Sequence, residues 1–164
     1  MGITNPKPSN SFLAARSWPR PPSTRIKSGK GKFSTLEYKP PAEVPDDEYP
    51  LTLTTVRSLY QYHTGTMTRK VKGLNTMLGQ ELVEINPEDA DTLGINDGDM
   101  VKVSSRRGQV KAKAKITVMS PPGVISMDIH FSESPANVLT NPALDPVCKT
   151  PELKVCAVKV EKGG

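Results

Sequence analysis

Cysteine is scarce in this chain: 164 residues contain two, Cys148 and Cys156. Protein-bound iron–sulfur clusters are commonly held by four thiolates, so this chain alone is not expected to hold one. The pair forms neither a CxxC redox motif nor a zinc pattern. The count permits a disulfide, but composition does not call for one, and free, buried thiols are the expectation. Histidine is equally sparse. His63 and His130 lack an evident third partner for a metal ion, so a hydrogen-bonded structural role is the reading for both. No apolar run approaches the ~20 residues of a membrane span, and Phe12-Leu-Ala-Ala15 is too short for a signal-peptide core. The chain is therefore expected to be cytoplasmic, or exported only with a partner. A defensible Ser/His/Asp order, an HExxH pair and a P-loop are all missing, so no catalytic residue and no metal ligand is assigned. Aromatics make up 5% and apolar residues 35%. That is lean for a core spanning the whole length, so part of the chain should lie outside it.

Acidic residues are absent from the first 36 positions, which carry Lys7, Arg16, Arg20, Arg25, Lys27, Lys30 and Lys32. These seven charges exceed the whole-chain net of +5, so residues 37–164 sum to −2. The basic pI belongs to the N-terminal arm rather than to the folded part. Nine of the sixteen prolines fall within residues 1–50, and Pro21-Pro22 and Pro40-Pro41 forbid regular helix or central strand. Residues 1–48 are read as a basic, proline-rich, extended arm with Trp18 and Phe33 as its main apolar anchors. Residues 49–162 are read as one domain.

Within that domain, β-branched and alternating runs predict about six strands: 51–56, 81–85, 100–104, a long one from 110 to 118, 124–129 and 155–160. In the long one, Val110, Ala112, Ala114, Ile116 and Val118 face one way and Lys111, Lys113, Lys115 and Thr117 the other. The lysine row reads as a solvated face that also discourages edge pairing. Asn86-Pro-Glu-Asp-Ala90 is a helix start, with Asn as N-cap, Pro at the first helical position and acids in the first turn; Leu93-Gly94 is its stop. Six strands, one short helix and frequent turns predict a closed or nearly closed barrel, mainly β.

Two long irregular segments, 57–79 and 130–153, invite a functional reading. The first offers cations at Arg57, Arg69 and Lys70, hydroxyls at Thr64, Thr66 and Thr68, and a glycine at 65, which is the chemistry that binds phosphate. Tyr60 and Tyr62 could stack on a flat ring. The plain alternative is an ordinary polar surface loop. In the second segment Asn137 presents an amide suited to a purine edge, and Lys149, like Lys154 just beyond it, a cation suited to phosphate. Each of these, alone, is commonly just a turn residue or a solvated charge.

The string Tyr49-Pro-Leu-Thr-Leu-Thr-Thr-Val-Arg57, followed by Tyr62-His-Thr-Gly-Thr-Met-Thr-Arg69, closely resembles the opening of the molybdopterin dinucleotide-binding domain of formate dehydrogenase alpha subunits. The similarity continues through Glu84-Ile-Asn-Pro-Glu-Asp-Ala90, Leu93-Gly-Ile-Asn-Asp-Gly-Asp99, Asn137-Val-Leu-Thr140 and Lys149-Thr-Pro-Glu-Leu-Lys154, and spans roughly residues 30–162. The resemblance implies a double-psi β-barrel of the aspartate decarboxylase-like type, with short helices. It implies that loops on one side embrace the pterin, pyrophosphate and guanosine parts of a molybdopterin guanine dinucleotide. By position, Thr55 and Arg57 match the strand-end contacts, Gln61, His63 and Thr64 the following loop, and Asn137 and Lys154 the late contacts.

Departures from the family pattern matter equally. The whole enzymes are several times longer, and their metal ligand and cluster cysteines lie in upstream domains. The resemblance therefore implies a larger catalytic formate dehydrogenase chain or domains as partner, with molybdenum or tungsten held there and no catalysis by this chain alone. A rival reading is a small barrel used as an interaction module, touching nucleic acid or protein through the basic arm. The arm's charge favours it; the net −2 of the rest, and the lack of interleaved basic and aromatic residues on strands, count against it, and nucleic acid is not the expected partner. A self-contained barrel enzyme ranks last, for want of a nucleophile or acid–base pair.

Overall fold

Six short runs with an apolar residue at every second position close into one barrel. The strands are β1 (Leu51–Val56), β2 (Leu82–Ile85), β3 (Met100–Ser104), β4 (Gln109–Ile116), β5 (Val124–Asp128) and β6 (Cys156–Lys162). The structure is a computed structural model that describes residues 35–163; Trp18, Phe33 and most of the basic arm lie outside the described residues. The barrel order is β1-β5-β2-β4-β3-β6. β1 runs parallel to β5, and β2 parallel to β4. The other four pairings are antiparallel. Exchanging β1, β2 and β3 with β4, β5 and β6 maps this pairing set onto itself, the pseudo-twofold pattern of the double-psi β-barrel.

Period-two alternation buries Leu51 and Leu53 from β1, Val101 and Val103 from β3, and Val110, Ala112 and Ala114 from β4. β5 differs: Ile125, Ser126, Met127 and Asp128 are all buried, because this strand is covered on both faces. The expected reach of β4 to Val118 is corrected. The strand ends at Ile116 and Val118 is 79% exposed. Its parallel partner β2 stops at Ile85, so the chain beyond has no strand to pair with.

Helix α1 (Lys72–Met77) and a 3-10 turn over Thr68–Lys70 occupy the segment read as a long loop. Helix α2 (Pro87–Leu93) forms as its residues dictate. Asn86 Oδ1 accepts from Glu88 N–H at 3.0 Å, and Gly94 ends the helix in the left-handed region at φ 65°.

The compact barrel unit begins at Lys39. Glu43, ahead of the first strand, accepts from Ala157 N–H at 2.7 Å and is paired with Arg107. Residues 42–46 are thus fastened to the barrel although they form no regular element.

Candidate functional site

Strand directions decide which loops meet. β1 and β5 are parallel and β6 is antiparallel to β1. The segments leaving β1 and β5 and the segment entering β6 therefore emerge at one end of the barrel. Both long irregular stretches, 57–79 and 129–155, lie there, and so do all seven positions expected to contact a ligand. Helix α2 and the 117–123 turn lie at the other end.

The seven residues form small groups rather than one cluster. Thr55 is buried, and its hydroxyl donates to the Leu153 carbonyl at 2.7 Å. The Lys154 ammonium contacts the Thr55 carbonyl, so these two meet where β1 ends. Arg57 lines a cleft of ≈ 290 Å³ with Ser58, Leu78, Glu84, Lys115 and Asp128. Thr64 and Asn137 share a second cleft of ≈ 220 Å³ over His130, Phe131 and Pro135. His63 is exposed, with its backbone in the left-handed region at φ 48°.

Gln61 points inward instead. It is buried, donates to the Leu78 carbonyl at 2.8 Å and accepts from the Thr68 hydroxyl at 2.6 Å. With its amide committed in this way, it shapes the loop from inside.

Of the three cations offered by the first loop, Arg69 is engaged. It pairs with Glu133, tying this loop to the one after β5, and its guanidinium lies 5.1 Å from the Phe131 ring centre. That pairing holds the Glu133 carboxyl down at about 2. Among the described residues, Arg57 and Lys70 have no carboxylate within ion-pair distance, which leaves them for an anion. Gly65 is sterically required at φ 71°: a Cβ there would sit 2.9 Å from the His130 carbonyl oxygen and 2.6 Å from Arg69 Cδ.

Two buried carboxylates beneath the loops escaped the sequence reading. Glu81 Oε1 accepts from Asp128 N–H at 2.7 Å, and Asp128 Oδ2 accepts from the Ser58 hydroxyl at 2.6 Å. Glu81 Oε2 and Asp128 Oδ1 are buried without a partner among the described residues. Burial, reinforced by the Asp128 charge, pushes the Glu81 carboxyl up to about 8. The available clue was an acid closing the otherwise uncharged run Val124–Asp128.

Cysteine and histidine behave unevenly. Cys156 is buried, and desolvation pushes its thiol up to about 11. Cys148 is free but exposed, correcting the expectation of two buried thiols: Asp145 caps the turn that carries it, accepting from its backbone N–H at 2.7 Å. His130 is fully buried and hydrogen-bonded.

Free cations, hydroxyls, an amide and a tightly packed glycine suit phosphates and the N–H and C=O edges of a fused ring. Among the described residues no group of three or more His, Cys, Asp or Glu side chains could hold a metal ion. Such a set fits the organic and anionic parts of a large cofactor. Fold and loops together define a ligand-binding double-psi barrel. More particularly, the chain belongs to the molydopterin dinucleotide binding domain family, which its residues 51–157 match.

It is 54% identical over 135 residues to the F420-dependent formate dehydrogenase subunit alpha of Methanocaldococcus jannaschii, covering 82% of this chain and 20% of that one. It is 46% identical over 138 residues to a nitrate reductase of Symbiobacterium thermophilum, covering 82% of this chain and 18% of that one. Among solved structures, acetylene hydratase from Pelobacter acetylenicus superposes with a TM-score of 0.62 at 20% identity, over 71% of this chain and 19% of that one, a likeness of fold. The chain thus spans about a fifth of the length of the curated relatives it matches. No helix of the described residues is long and apolar enough to cross a membrane.

Proposed function

We propose that this chain holds the nucleotide end of a molybdopterin guanine dinucleotide as part of a formate dehydrogenase-type oxidoreductase, in the cytoplasm. The observation that carries the reading is the family match over residues 51–157, which takes in both long loops, together with the 54% identity across 82% of the chain. Arg57 would meet a phosphate, Thr64 and Asn137 would hydrogen-bond where their shared cleft opens, and Lys154, set by its contact with Thr55, would fix the far side of the ligand. His63 would present its ring from the left-handed turn, while Gln61 keeps the loop in shape from within.

A bound molybdopterin would supply the redox chemistry through molybdenum or tungsten held by a larger partner chain or by further domains. The residues described here contribute binding and orientation. Formate oxidation is accordingly not expected from this chain alone.

Native purification, followed by metal analysis and nucleotide release by acid, tests the reading. A co-eluting larger chain with molybdenum or tungsten, and guanosine monophosphate in the hydrolysate, is the expected result. A chain that elutes alone, free of pterin and nucleotide, would overturn it.

A further inference from the structure

The first loop at the ligand-binding end is pinned at two points by one side chain from the other loop. His130 is fully buried. Its Nε2 accepts from Ser58 N–H at 2.9 Å, and its Nδ1 contacts the His63 carbonyl oxygen. A backbone N–H can only donate and a carbonyl can only accept. The ring must therefore carry its proton on Nδ1 and leave Nε2 bare, which selects one neutral tautomer. Asp128 Oδ1 lies 3.9 Å from Nε2, beyond hydrogen-bond reach, and does not compete for that nitrogen.

The bridged span matters because of where it goes. It starts one residue after Arg57, holds Gln61, and ends at His63, whose left-handed backbone is unfavourable for a residue with a side chain. Ser58 is anchored a second time by its hydroxyl on Asp128. Directly beyond, Gly65 packs against the His130 carbonyl, so the backbone of His130 supports the loop that its ring bridges.

We propose that His130 is a positioning residue for the dinucleotide. Its Nδ1–H imidazole ties Ser58 to His63 and so sets the course on which Arg57, His63 and Thr64 meet the ligand. This rests on the function proposed above. The role is distinct from packing. A glutamine at position 130 offers one acceptor and one donor and can keep both ties; a leucine fills comparable space and keeps neither.

The test uses the full chain as wild type, His130→Gln and His130→Leu, with intact molybdopterin guanine dinucleotide as the titrated probe. Nitrogen-15 spectra of wild-type His130 should show the Nδ1–H tautomer; the Nε2–H tautomer overturns the inference whatever the variants do. The Ser58 amide should stay protected from hydrogen exchange in wild type and His130→Gln and lose protection in His130→Leu. Probe affinity should change little in His130→Gln and fall about tenfold in His130→Leu, the equivalent of one hydrogen bond at 1.4 kcal/mol per decade. Equal affinity in all three overturns the positioning role, as does loss in His130→Gln equal to that in His130→Leu. If His130→Leu does not fold, the tautomer and the His130→Gln affinity decide. A wild type that takes up no probe overturns the functional reading and the positioning role together, and amide protection then shows separately whether the bridge exists.

Discussion

Glu81 shows how one buried group can set the pH response of the protein. Its carboxyl titrates at about 8 because burial, helped by the neighbouring Asp128, disfavours its charge. The native state therefore binds this proton more tightly than the unfolded chain, where the ordinary value is 4.5. The contribution to stability is fully present below the ordinary value and is lost as pH rises through the folded one. The unfolding free energy from urea titration should fall between about pH 5 and about pH 8, by an amount on the order of 2–5 kcal/mol. Glu81→Gln keeps the acceptor for Asp128 N–H and removes the titration. It should flatten that limb and stabilise the protein most at its alkaline end. A wild-type profile already flat across the window would sink the assignment.

Helix α2 is the element whose sequence is most explicit, and Asn86 does more there than cap it. Its Oδ1 caps Glu88 N–H, while its Nδ2 donates to the buried Ser120 carbonyl at 2.8 Å, fastening the helix to the 117–123 turn. Asn86→Ser should lose only the second tie and cost about 1–2 kcal/mol; Asn86→Ala loses both and should cost about 2–4 kcal/mol in urea denaturation. Equal losses would mean that the tie to Ser120 contributes everything. The cap was legible because its code is local: Asn, Pro, two acids and a closing Gly within nine residues. The strands were legible for the same reason, since alternation is local too. Val118 was misplaced because alternation does not reveal where the neighbouring strand stops. Gln61 was expected as a ligand contact because its position matches the family's loop, and the structure adds a packing role to that expectation. Its inward turn depends on the Leu78 carbonyl just past helix α1, seventeen residues on, which no local pattern encodes. Residue chemistry singled out two loops that the strand directions gather at one end, but the contacts made within them are tertiary.

For the molecule as a whole, the internal symmetry of the barrel has no counterpart in a repeated sequence, because strand pairing is set by contacts far apart along the chain. A similar long-range closure fastens the segment ahead of β1. Glu43 is mostly buried, pairs with Arg107 and accepts from Ala157 N–H at the start of β6. The hydrogen bond from Arg107 is the main cause holding its carboxyl below the usual range. The sign is opposite to that of Glu81: this contribution is present above the ordinary carboxylate value and lost as pH falls through the folded one. The whole protein should thus show a stability dome with separable limbs, acid loss through Glu43 and neighbouring ion-paired carboxylates, alkaline loss through Glu81. Among the described residues, Glu43→Ala leaves the Arg107 guanidinium with the Leu139 carbonyl, at 2.8 and 3.1 Å, and frees Ala157 N–H. It should cost about 1–3 kcal/mol at neutral pH, less than breaking a fully buried pair, and blunt the acid limb while leaving the alkaline limb unchanged. Glu81 and Glu43 share no hydrogen-bond partner among the described residues, so combining Glu43→Ala with Glu81→Gln should give additive changes within about 0.5 kcal/mol across the pH range. A larger coupling, measured from urea midpoints of the four proteins, would show that the two ties act through a common rearrangement of the barrel rather than as independent closures.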